Sequence, residues 1–196
     1  MSMRIILASS SPRRKEIMNM LNIPYEVISF DHDEVLNKEK TVYEQCVDIA
    51  YQKGKIVFDS FNEDMVVISS DTIVVIDGVI YGKPIDREDA YNMIKKIQGR
   101  SHEVVSALTV FYRKDKKEEV RKLYEKTIVF VDTMTDDEIY EWIDTGKAFG
   151  KAGAYAIQEE FGKYITKVDG DYYTIVGLPL NKLYNILKDF EVYNEL

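Results

Sequence analysis

The chain has 196 residues, 45% of them hydrophobic and 31% charged, with a formal net charge of -8; this is the composition of a globular protein with one domain, or one domain with two lobes. Such an acidic balance argues against a broad nucleic-acid or anionic-membrane surface, because phosphate backbones demand a clustered positive field. No apolar stretch approaches the roughly 20 residues that cross a bilayer, MSMRIILASSS has too short an apolar segment for a secretory signal, and the single Cys46 cannot close an internal disulfide, so the expected location is cytoplasmic.

Arg4 to Ala8 is a short apolar run suited to a buried strand. Ser11 is a natural N-cap and Pro12 a natural first helical residue, since proline has no N–H to leave unsatisfied there. A helix from Pro12 to Leu21 follows, with Ile17, Met18 and Leu21 at helical spacing. Tyr25 to Ser29 returns as a strand, and DHDEVLNKEK reads as a polar loop. Thr41 with Glu44 forms a capping box for a helix reaching about Phe58. Val66 to Ser69 is a buried strand that continues through Asp71 into Ile73 to Ile76, and Asp77-Gly78 is a hairpin turn into Val79 to Tyr81.

Asp86 caps a helix that ends near Gly99. Val104 to Tyr112 and Leu123 to Val131 are long strands, and the charged RKDKKEEVRK between them reads as a solvated hairpin tip. Thr135 and Glu138 make a second capping box, for a helix ending near Gly146. GKAFGKAGAYAIQ is a glycine-rich loop, Tyr164 to Val168 a strand, and Pro179 to Phe190 a terminal helix. Interleaved strands and helices with one long hairpin give an α/β protein with a mixed sheet, and no linker separates independent domains.

Several residues stand out chemically. The strand, serine-rich turn and helix start in LASSSPRRKEI place unpaired N–H groups and a positive helix end together, which makes an anion site. Arg13 and Arg14 add forked donors suited to phosphate, and Ser9, Ser10 and Ser11 add hydroxyls; alternatively Ser11 only caps and the arginines are surface charges. In VISSDTIVV, a carboxylate among branched apolar residues must be paired, hydrogen-bonded or metal-bound, so Asp71 is either a metal ligand or general base, or a turn cap. The cluster Asp31 to Glu34 offers a second carboxylate for a hard divalent cation.

Lys53 and Lys83 read as phosphate ligands or as ordinary surface lysines. Gln158 follows small residues that permit close approach of a ligand, where a paired donor and acceptor can read a base edge. His32 and His102 lack zinc spacing and are read as structural or surface residues, and Cys46 as a packing residue.

Together LASSSPRRKEIM, SSDTIVVIDGVIYGKP, GKAGAYAIQ and GLPL, in this order over nearly the whole chain, resemble the Maf family of nucleoside triphosphate pyrophosphatases. The resemblance implies one domain over residues 1–196, an elongated, two-lobed mixed-sheet α/β fold around a central cleft, similar to the inosine triphosphate pyrophosphatases. It implies hydrolysis of the α–β phosphoanhydride of a nucleoside triphosphate with a divalent cation, Mg²⁺, Mn²⁺ or Co²⁺, in a homodimer; the acidic balance argues for neither nucleic acid nor membrane as a partner. By position, Asp71 resembles the catalytic proton acceptor. Arg13, Thr72 and Gln158 fall at specificity positions, and Ser9, Arg14, Glu34, Lys53 and Lys83 at positions for phosphate or metal.

AYAIQ is similar to the branch acting on dTTP and UTP. EEFGKY after Gln158 and DGDYYTIVGLPL depart from the commoner pattern and flank the base pocket. Action on noncanonical purine triphosphates, and a non-catalytic nucleotide-sensing role in cell division, are the alternative readings.

Overall fold

The computed structural model describes residues 3–30 and 35–194. The opening apolar run forms β1 (Arg4–Leu7), and Pro12 takes the first position of α1 (Pro12–Asn19). Ser11 is the N-cap of α1, but its side chain makes no capping bond; its N–H instead donates to Ser9 Oγ at 3.3 Å. β2 (Glu26–Val27), shorter than expected, lies parallel to β1. The Thr41 hydroxyl accepts from the Glu44 N–H and the Glu44 carboxylate accepts from the Thr41 N–H, which opens α2 (Val42–Asp59) as the capping box predicts.

β3 (Met65–Ile76) runs without interruption through Ser69, Ser70 and Asp71. It is parallel to β1 and antiparallel to β4 (Val79–Tyr81), across an Asp77-Gly78 turn with φ of 51° and 78°. Positive φ at both residues is the hairpin geometry that follows strand twist. α3 (Arg87–Ile97) is capped by Asp86, whose carboxylate accepts from the Asp89 N–H.

The long hairpin differs from its expected form. β5 (Ser101–Lys114) and β6 (Lys117–Val131) extend into the charged stretch, and the two strands leave only Asp115 and Lys116, with φ of 48° and 64°, as the turn. Charges mask strands from a pattern reading, yet Lys117 to Lys122 of β6 face water and need no burial, and the buried Arg113 of β5 donates to Phe61 O. α4 (Asp136–Asp144) starts at the Thr135 and Glu138 box, and β7 (Ile165–Asp169), α5 (Tyr172–Val176) and α6 (Leu180–Asp189) follow. α5 was not expected; Asp171 Oδ2 holds its start by accepting from the Thr174 N–H at 2.7 Å and hydroxyl at 2.9 Å.

The described strands form one seven-stranded mixed sheet in the order β2-β1-β3-β5-β6-β7, with β4 on β3. The chain divides into two compact units, the first of Met1–Asp71, Ser106–Glu125 and Gly177–Leu196, the second of Thr72–Val105 and Lys126–Val176. Within the first, Val57 and Phe58 of α2 pack with Ile6, Met65, Val67 and Phe111 of the strands. Within the second, α3 and α4 bring Ile94, Ile97, Ile139 and Trp142 against Val104 and Val129. No described helix is long and apolar enough to cross a membrane.

Candidate active site

Cys46, Ala50, Lys53 and Val57 recur at the alternating spacing of four and three that places side chains on one helix face. Three of them are buried core residues of α2, so Lys53 sits where the stripe calls for an apolar side chain. On β3, alternation puts Met65, Val67, Ser69 and Asp71 on one face, and Ser69 Oγ donates to Ala50 O of α2 at 2.7 Å. Gly54 permits this approach, because a Cβ there would press into the Phe111 ring and Ser69 Oγ. Lys53 Nζ consequently reaches Asp71 Oδ1 at 2.6 Å, with the two side chains only 24% and 16% exposed.

The second carboxylate oxygen of Asp71 faces Cys46, whose Sγ lies 3.8 Å from Oδ2 and 3.5 Å from the Asp71 carbonyl oxygen. Burial, and then the charge of Asp71, push the thiol pKa well up. Cys46 is therefore a protonated packing residue and a weak donor, as the absence of an activating partner in its sequence neighbourhood predicts.

α1 repeats the arrangement. Arg14, Ile17 and Met18 share a face, both apolar members are buried, and the buried Leu21 follows in the turn after the helix. Arg14 Nε donates to Gly177 O at 2.8 Å and Nη1 to the buried Ser9 Oγ at 3.1 Å. Burial lowers the Arg14 pKa, the Asp71 carboxylate opposes that shift, and neighbouring Arg13 adds to it. Arg14 thus lies within electrostatic reach of both Asp71 and Arg13, and it stays charged because a guanidinium titrates so high. The first unit accordingly brings Ser9, Arg13, Arg14, Lys53 and Asp71 together. It also contributes Ser70 and Gly177, which sequence reasoning did not single out.

Thr72, Lys83 and Gln158 belong to the second unit. Thr72 directly follows Asp71 and shares the Val74 face of β3, and Gly153 packs against that same Val74. The Gly153 N–H donates to Gly82 O at 3.0 Å, which ties the YGKP segment to the glycine-rich loop. Lys83 and Gln158 themselves are exposed. His102 is buried, its Nε2 2.7 Å from Tyr155 Oη, in line with a structural role. Glu34, with the rest of the acidic cluster and His32, lies outside the described residues.

Among the described residues, no three His, Cys, Asp or Glu side chains form a group that could hold a metal by itself. Asp71 offers hard, half-buried carboxylate oxygens beside cationic side chains. Magnesium commonly binds through one or two carboxylates and fills its remaining positions with phosphate oxygens and water. The donor set therefore fits a cation that arrives with a polyphosphate.

The family model for Maf-like protein matches residues 4–190. The dTTP/UTP pyrophosphatase of Caldanaerobacter subterraneus subsp. tengcongensis is 42% identical over 186 residues, which cover 95% of this chain and 88% of that protein. The dTTP/UTP pyrophosphatase of Bacillus velezensis is 42% identical over 192 residues, 98% of this chain and 99% of that one. Among solved structures, the Staphylococcus aureus Ham1 protein aligns with 95% of this chain and 98% of its own, at 16% identity and a TM-score of 0.49.

Proposed function

The chain belongs to the Maf family, and on that premise we propose that it hydrolyses dTTP and UTP to the monophosphate and pyrophosphate with a divalent cation. The observation that carries this reading is the Asp71 carboxylate, gripped by Lys53 at 2.6 Å and within electrostatic reach of Arg14. It sits in a chain 42% identical, over 95% of its length, to a relative named for that activity.

Water attacks the α-phosphorus, the bond to the bridging oxygen breaks, and its electron pair leaves with pyrophosphate. The Asp71 carboxylate, held through Oδ1 by Lys53, takes the proton from water. Arg13, Arg14, Lys53 and Lys83, with the amides of the Ser9 to Ser11 turn at the start of α1, hold the triphosphate. Their positive charge matters most as negative charge builds on the departing pyrophosphate, which stabilises the transition state beyond the ground state. A divalent cation held by Asp71 and Glu34 supplies, when bound, charge neutralisation and a lowered pKa for water. Thr72 and Gln158 read the base.

A nucleoside triphosphate panel without metal and with Mg²⁺, Mn²⁺ or Co²⁺, reading both products, tests the proposal. Equimolar monophosphate and pyrophosphate, fastest from dTTP and UTP and dependent on metal, is the expected result. Orthophosphate release, a preference for noncanonical purine triphosphates, or binding without turnover would each overturn it.

A further inference from the structure

We infer that Ser70 and the Gly177 carbonyl form a positioning device for Arg14, which fixes the direction of its guanidinium and thereby the grip on the polyphosphate. The inference rests on the phosphate-binding role proposed above for Arg14. Ser70 is fully buried on β3, with Oγ 2.6 Å from Ala107 O and 2.9 Å from Gly177 O. Arg14 Nε donates to that same Gly177 oxygen at 2.8 Å. A carbonyl oxygen has two lone pairs and accommodates both partners, whereas the hydroxyl has one proton to share between two carbonyls. By sharing its proton with Ala107 O, the Ser70 hydroxyl still ties the Gly177 oxygen to the sheet, and that oxygen orients Nε.

The guanidinium is planar, with its donors in a rigid fork. Two fixed points, Nε on Gly177 O and Nη1 on Ser9 Oγ at 3.1 Å, define that plane and the direction of the whole fork. Loss of the Ser70 hydroxyl leaves the charge on Arg14 intact but loosens the point at Gly177 O.

Ser69 provides an internal comparison. It is equally buried, and its Oγ donates to Ala50 O at 2.7 Å, with Thr109 O at 3.5 Å. Both serines bond buried carbonyls, but only Ser70 bonds one that Arg14 uses.

The test compares Ser70→Ala with Ser69→Ala in thermal unfolding, in KM and kcat for dTTP with Mg²⁺, and in calorimetric affinity for inorganic tripolyphosphate, with thymidine as the phosphate-free control. Both variants are expected to lose stability. Ser70→Ala alone should raise the tripolyphosphate Kd about tenfold and lower kcat/KM for dTTP by at least as much, through kcat as well as KM, with thymidine affinity unchanged. Equal kcat/KM and equal tripolyphosphate affinity in the two variants would overturn the inference. If Ser70→Ala does not fold, Ser70→Cys, similar in size and a weaker donor, replaces it against Ser69→Cys. A raised Kd in Ser70→Cys alone supports the device, and matched values refute it. A wild-type protein that binds tripolyphosphate without hydrolysing dTTP or UTP would sink the proposed function, and the serine comparison would still be decided by affinity.

Discussion

A lysine on the buried face of a helix is tolerable only beside a carboxylate, and Lys53 meets Asp71 at 2.6 Å with both side chains largely covered. Replacing Asp71 by asparagine removes the proton acceptor while nearly preserving side-chain shape. Turnover should fall on the order of 10²-fold or more, with nucleotide affinity retained and the fold kept at a lowered melting temperature because Lys53 loses its carboxylate; steady-state kinetics beside a binding titration and a melting curve check this, and near-normal turnover would exclude Asp71 from the chemistry. Gln158 is exposed, so Gln158→Ala should reorder UTP, dTTP and CTP more than it slows the best of them, and an unaltered order would end its base-reading role. Asp71 was legible because a carboxylate stood out in an apolar run. The special position of Arg14 and Lys53 was also written in the chain, in the 14-17-18-21 and 46-50-53-57 stripes, where a cation replaces an expected apolar residue. Ser70 and Gly177 were not legible, because their contact joins residues 107 apart and no local spacing announces it.

Among the elements, the seating of α2 on the sheet depends on Gly54. Alanine is intrinsically better than glycine in a helix by about 1 kcal/mol, which favours a substitution there. Against this, the new methyl would meet Phe111 and Ser69, both fully buried with no room to retreat, and overpacking typically costs about 1–3 kcal/mol. Gly54→Ala should therefore lower the melting temperature, by roughly 2–4 °C per kcal/mol for a chain of this size. It should also reduce turnover, because Lys53 and Asp71 approach through the same contact. A raised melting temperature would show that propensity prevails and the interface can yield. Elements fixed by local chemistry, the two capping boxes and the Asp77-Gly78 turn, were readable from the chain. The long hairpin was readable too, but not how far its strands run, since the charged residues from Lys117 to Lys122 lack the alternation that marks a half-buried strand.

At the scale of the whole molecule, a net charge of -8 makes acid titration a natural probe of stability. Glu44 and Glu138 are held below the usual carboxylate range by bonds from Thr41 and Thr135, so they stabilise the fold above their unfolded pKa and lose that effect as pH falls. His102 acts over a higher window. Burial pushes its pKa from 6.5 down to about 4, and Nδ1 has no hydrogen-bond partner among the described residues, so an imidazolium would bury an unsatisfied N–H. The unfolded chain takes up this proton first as pH drops below 6.5, and the folded chain only near 4; stability is therefore complete above the unfolded value and declines across the interval. At about 1.4 kcal/mol per tenfold change in proton activity, the loss amounts to about 3 kcal/mol. Trp142, the chain's single tryptophan, packs on Phe161, which also touches Tyr155, the partner of His102. Urea unfolding followed by its fluorescence from pH 7 to pH 4 should show wild-type stability falling more steeply than that of His102→Gln. The carboxylates are common to both proteins, so the difference isolates the histidine, and parallel curves would refute its contribution.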